Sequence, residues 1–123
     1  MEHRWDKRLQ IAIEVTLFHH KIPVAICKTR DIGIEGLFAE CGSLVLRNNT
    51  LLEVEFEVVS NYSRQRYRLI AITVHICDEG VGLFIRNSES EAAEIWREMV
   101  RNAESQKSVD ESSPVPVPVF VGS

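Results

Sequence analysis

The chain has 123 residues, 45% of them hydrophobic and 26% charged, with a net charge of -4 and a sequence pI of about 5.6. That is enough chain for one hydrophobic core and too little for two. The acidic balance argues against wrapping a nucleic-acid polymer or lying on an anionic membrane, so any anion must be held by a local basic cluster working against the bulk field.

Residues 1–9 are polar and charged, with Trp5 and Leu9 as the large apolar side chains, and read as an N-terminal arm. The start has no apolar leader, and no segment approaches the length needed to span a bilayer. From Gln10 the pattern changes: Ile11, Ile13, Val15 and Leu17 alternate with polar or small residues, as in a half-buried strand. His19-His20-Lys21 is a polar break, read as a solvated hairpin turn. Val24 to Ile32 reads as a second strand, with Val24, Ile26 and Lys28 on one face. Gly33 and Gly36 interrupt it, and Leu37 to Glu40 resumes it. Cys41-Gly42-Ser43 is a turn signal and Leu44 to Thr50 a connection. Leu52, Val54, Phe56 and Val58 alternate with Glu53, Glu55 and Glu57 in the clearest strand of the chain. A turn over Ser60 to Gln65, a strand over Tyr67 to Cys77, a turn at Asp78-Glu79-Gly80 and a short strand over Val81 to Ile85 follow. Six short strands joined by tight polar turns predict a closed antiparallel β-barrel.

One helix follows the strands. Ser88 with Glu91 fits a capping box, and Ala92, Ile95, Trp96, Met99 and Ala103 fall on one helical face. That stripe predicts a helix packed on the barrel or closing one of its mouths. The domain proper is thus expected over 10–103, with 104–123 a flexible tail rich in Ser, Pro and Val. Cys27, Cys41 and Cys77 are odd in number and lack CxxC spacing, which predicts reduced thiols in a cytoplasmic protein.

No catalytic constellation is visible, and no nucleophile can be placed beside a base. His75 and Cys77 share a strand face and Cys27 is a further donor, but spacing supplies no third ligand for a metal. Two features are sharper. Arg4-Trp5-Asp6-Lys7-Arg8 sets two guanidiniums four residues apart, just before the first strand. Guanidinium pairs with phosphate oxygens or with the O6/N7 edge of guanine. Asp31-Ile32-Gly33-Ile34-Glu35-Gly36 then joins two strand segments, with Asp31 outward and Ile32 inward. An outward carboxylate can accept the N1–H and N2–H donors of guanine, and glycines let a ligand approach the backbone.

Together, Arg4-xxx-Arg8 and Asp31-x-Gly33-xx-Gly36, followed by strands and a helix, resemble the PilZ domain family, whose motifs are RxxxR and [D/N]xSxxG. The resemblance covers about residues 3–86 and the following helix. It implies a six-stranded antiparallel barrel with a C-terminal helix, without catalytic activity, that binds cyclic di-GMP in a bacterial cell. It implies that Arg4 and Arg8 hold phosphate and guanine edges, and that Asp31, Gly33 and Gly36 line the second part of the site. His3, Trp5 and Arg86 are further candidate contacts: Trp5 either stacks on a guanine or pins the arm, and His3 leaves open one ligand or a stacked pair. It also implies an effector protein as partner, a monomer or weak dimer, and roles in motility, pilus function, exopolysaccharide production or biofilm control. The chain departs from the pattern at Gly33, where the family has serine. One hydrogen bond is worth about 0.5–1.5 kcal/mol, or about 1.5–3 kcal/mol to a charged group, so its loss weakens binding by about ten- to a hundred-fold at most. The alternative is a PilZ-like interaction adaptor that has lost its nucleotide.

Overall fold

The computed structural model describes residues 7–42 and 44–112. Six strands appear in chain order: β1 (Glu14–His19), β2 (Ile22–Ile32), β3 (Gly36–Glu40), β4 (Leu51–Val59), β5 (Arg64–Cys77) and β6 (Gly80–Ile85), followed by one helix, α1 (Glu91–Ser112). They close into an antiparallel barrel in the order β1-β2-β3-β6-β5-β4. Closure removes every sheet edge where pairing is complete, which suits strands this short.

The alternation places the core. Val15 and Leu17 on β1, Leu52, Val54 and Phe56 on β4, and Leu69 and Ala71 on β5 point inward and are buried. Val24, Ile26 and Lys28 share the outward face of β2. His20 and Lys21 both take positive φ, 55° and 67°, which is the two-residue hairpin geometry that matches strand twist.

Two bulges break the period. One lies in β2 between Thr29 and Asp31, the other in β5 between Thr73 and His75. The first turns both Arg30 and Asp31 away from the core, although they are consecutive, and Ile32 then points in with 1% exposure.

The helix closes the barrel. Ala92, Ala93, Trp96 and Val100 are buried, and Ile95, Met99 and Ala103 pack against the same core. Trp96 meets Phe56 edge-on at 5.2 Å between ring centroids. The predicted stripe is therefore core.

Four details differ from the sequence expectations. The first strand begins at Glu14 rather than near Gln10, because the Thr29 hydroxyl takes over the backbone there: it accepts from Ile13 N–H at 2.9 Å and donates to the Ile11 carbonyl at 2.6 Å. Ser90, not Ser88, caps the helix, its Oγ accepting from Ala93 N–H at 3.1 Å. The helix runs on to Ser112, into the stretch expected to be tail from Glu104, because helix-compatible residues continue and no proline intervenes before Pro114. The expected tail over 113–123 lies outside the described residues. Finally, Cys27 and Cys41 are not free thiols. They form a disulfide with a Cα–Cα separation of 4.7 Å, because the pairing of Lys28 with Glu40 sets the two cysteines opposite each other on β2 and the end of β3. Cys77 is a free thiol. No helix is long and apolar enough to cross a membrane among the described residues.

Candidate ligand site at the junction of arm and barrel

The described end of the arm is stitched to β2. Leu9 N–H donates to the Ile32 carbonyl at 2.8 Å, and Ile32 N–H donates back to the Leu9 carbonyl at 2.9 Å. Leu9 itself is buried, so an apolar anchor and two backbone bonds hold the chain in register. Adjacent residues on an extended chain face opposite sides. With Leu9 directed inward, Arg8 is directed outward beside the β2–β3 connection.

There Arg8 meets Asp31. Its Nη1 donates to Asp31 Oδ1 at 2.8 Å, with the side chains 43% and 25% exposed. Directly beneath lies Gly36. A Cβ built on Gly36 would stand 3.6 Å from Arg8 Nη2 and 2.5 Å from the carbonyl oxygen of Leu83. Only glycine lets β3 approach β6 this closely, and the same lack of a side chain leaves the guanidinium lying over backbone.

Gly33 occupies the turn between them. Its N–H donates to the Gly36 carbonyl at 2.8 Å, and its carbonyl accepts from the buried indole Nε1 of Trp96 at 2.8 Å. The helix thus clamps the site loop from inside. At the other end of the same hairpin, the Cys27–Cys41 bridge closes the segment that carries Asp31, Gly33 and Gly36. Arg86 lies past the end of β6 with an exposed side chain. The Ile85 N–H donates to the Glu35 carbonyl at 2.9 Å, which places this end of β6 beside the site loop. His3, Arg4 and Trp5 lie outside the described residues.

Arg30, next to Asp31, is committed elsewhere. Its Nε donates to Glu40 at 2.9 Å, its Nη2 bonds Glu79, and its guanidinium stacks on Phe38 at 4.1 Å. The hydrogen bonds to Glu40 and then to Glu79 raise its pKa further above the ordinary arginine value. A groove of about 310 Å³ lies between β1 and β4, lined by Glu14, Glu55 and Glu57 among others. Three carboxylates against one arginine, Arg66, make it a poor seat for an anion, whereas the Arg8–Asp31 pair is partly exposed at the arm–barrel joint.

The sequence singled out Arg8, Asp31 and Gly36, and the fold brings all three together, with Gly33 on the same loop. It did not single out Thr29 or Leu9, which position the arm. Their only signal was inward parity, which any core residue shares.

Comparison with solved structures finds the crystal structure of the PilZ domain of CeSA from a cellulose-synthesising bacterium, at a TM-score of 0.61 and 14% identity, covering 80% of this chain and 98% of that one. The fold is PilZ-type. Comparison of the sequence with protein-family models and with curated proteins finds no match. In a PilZ-type barrel of this chain, then, the arm joins at Leu9 and Ile32, and Arg8, Asp31 and Gly36 meet at that joint.

Proposed function

We propose that this chain is a cyclic di-GMP receptor that passes the level of the second messenger to a protein partner. The observation that carries the reading is the Arg8–Asp31 pair held over Gly36 at the point where the arm meets the barrel. A cyclic dinucleotide offers two phosphates and two guanines. Arg8, with Arg4 from the arm, supplies paired donors for phosphate oxygens or guanine O6/N7. Asp31 supplies the acceptor for the N1–H and N2–H edge.

The energetics permit exchange. A partly exposed ion pair is worth about 0–1 kcal/mol, so a ligand that satisfies both groups replaces it at little cost. A dianion held at Arg8 and Asp31 changes the outer surface there and shifts the population of partner-competent molecules. The process controlled would be motility, pilus function, exopolysaccharide production or biofilm formation in a bacterial cell. The ligand is a small molecule and no nucleic-acid polymer is involved.

The test is a calorimetric titration with cyclic di-GMP, run beside an Arg4→Ala/Arg8→Ala double variant and a cyclic di-AMP control. Saturable binding of the guanine ligand that disappears in the variant supports the receptor and gives the stoichiometry. One observation favours a second reading, an adaptor that no longer binds nucleotide: Gly33 has no hydroxyl, and its backbone N–H and carbonyl are both already engaged. No heat up to near-millimolar ligand, with unchanged amide NMR shifts, selects that reading.

A further inference from the structure

We propose that Phe84 is a stacking platform for a purine base of the bound ligand, and that it forms the floor of the site beside Arg8 and Asp31. The inference deepens the cyclic di-GMP reading and rests on it.

The register carries the argument. On β6 the burial pattern leaves one large side chain outward: Phe84 is 44% exposed, while Val81, Leu83 and Ile85 are buried. Phe84 pairs with Gly36 on β3 on one side and with Ile72 on β5 on the other. Directly opposite residues on antiparallel strands have Cβ positions about 4.5–5.5 Å apart. On the Gly36 side there is no Cβ to fill that space, and the guanidinium of Arg8 lies over it. The aromatic ring therefore neighbours the strip of β3 backbone over which Arg8 lies, paired with Asp31. Arg86 follows two positions along the chain, on the same outward parity.

Other outward phenylalanines are already covered. The ring of Phe18 carries the guanidinium of Arg68 at 3.8 Å, and the ring of Phe38 carries that of Arg30 at 4.1 Å. Among the described residues, none places a guanidinium or a ring on Phe84. A half-exposed aromatic ring, a hydrogen-bond acceptor for N1–H and N2–H, and a guanidinium for O6/N7 or phosphate complement a planar guanine. Adenine lacks the N1–H and N2–H donors, so Asp31 cannot make the same paired contact with that base.

Base stacking on an aromatic side chain is worth about 1–3 kcal/mol, or about 5- to 150-fold in affinity. The test titrates wild type, Phe84→Leu and Phe84→Trp with cyclic di-GMP, with thermal melts of each protein as a fold control. The expected result is a 5- to 150-fold weaker affinity for Phe84→Leu at an unchanged melt, with Phe84→Trp at or above wild-type affinity. Wild-type binding with an unchanged Phe84→Leu affinity overturns the stacking role and leaves the receptor reading standing. A wild type that binds no cyclic di-GMP removes both. Should the leucine variant fold poorly, the wild-type protein at saturating ligand still decides. Nuclear Overhauser contacts between the Phe84 ring and guanine protons support the platform, and their absence overturns it.

Discussion

Two kinds of arginine sit on the outside of this barrel, and the difference lies in what surrounds them. Arg68 on β5 bridges Glu53 and Glu55 across the β4–β5 ladder, at 3.1 and 3.3 Å, and stacks on Phe18. Arg30 bridges Glu40 and Glu79 and stacks on Phe38. Each has carboxylates at the rim and a ring beneath, so charge and stem are both used within the fold. Arg8 stands on a different floor. It meets Asp31 above a glycine, at a joint made by one isolated bridge rather than by a ladder. The same side chain stands over a ring in two places, and over the backbone of a glycine in the third.

That contrast can be broken or sharpened by substitution, and the effects on stability are ordered by how much each change removes. Trp96→Ala takes away the indole that clamps the site loop through Gly33 and fills the barrel mouth. It is expected to cost about 3–5 kcal/mol, read as the midpoint of denaturant unfolding. Reduction of Cys27–Cys41 opens a loop of sequence separation 14 around the site. It is expected to cost about 3 kcal/mol, seen as a lower melting temperature in reductant. A melting temperature that does not respond to reductant would show that the two thiols are unlinked in solution.

Gly36→Ala sets a methyl against the Leu83 carbonyl in place of bare backbone and is expected to cost about 1–3 kcal/mol. It should also weaken cyclic di-GMP binding, since the floor is lifted. The smallest stability effects separate the two arginines themselves. Arg68→Ala loses a cation–π contact worth about 0.5–1 kcal/mol and leaves ligand affinity unchanged. Arg8→Ala moves stability by less than about 1 kcal/mol and removes ligand affinity. Equal effects of the two variants on binding would erase the distinction.

Much of this molecule was legible before folding was considered. The strand over 51–59 alternates so regularly that its inward face, Leu52, Val54 and Phe56, can be read from hydropathy alone. The helix stripe is similar, because a period near four places Ala92, Trp96 and Val100 on one side whatever they pack against. Arg8, Asp31 and Gly36 stood out as residue types suited to a phosphate, a guanine edge and a close backbone approach.

What only the tertiary structure decided are relations across strands. Spacing in the chain holds no record of register. Cys27 meets Cys41 only because Lys28 pairs with Glu40, and Phe84 faces Gly36 only because β3 and β6, far apart in sequence, lie side by side. The bulge at Arg30 reverses the parity of everything after it, so local alternation cannot say that Asp31 and Arg30 both turn outward. Local period is set by backbone geometry and is written in the residues themselves. Which outward residues become neighbours is set by barrel closure, a long-range pairing that many residues decide together.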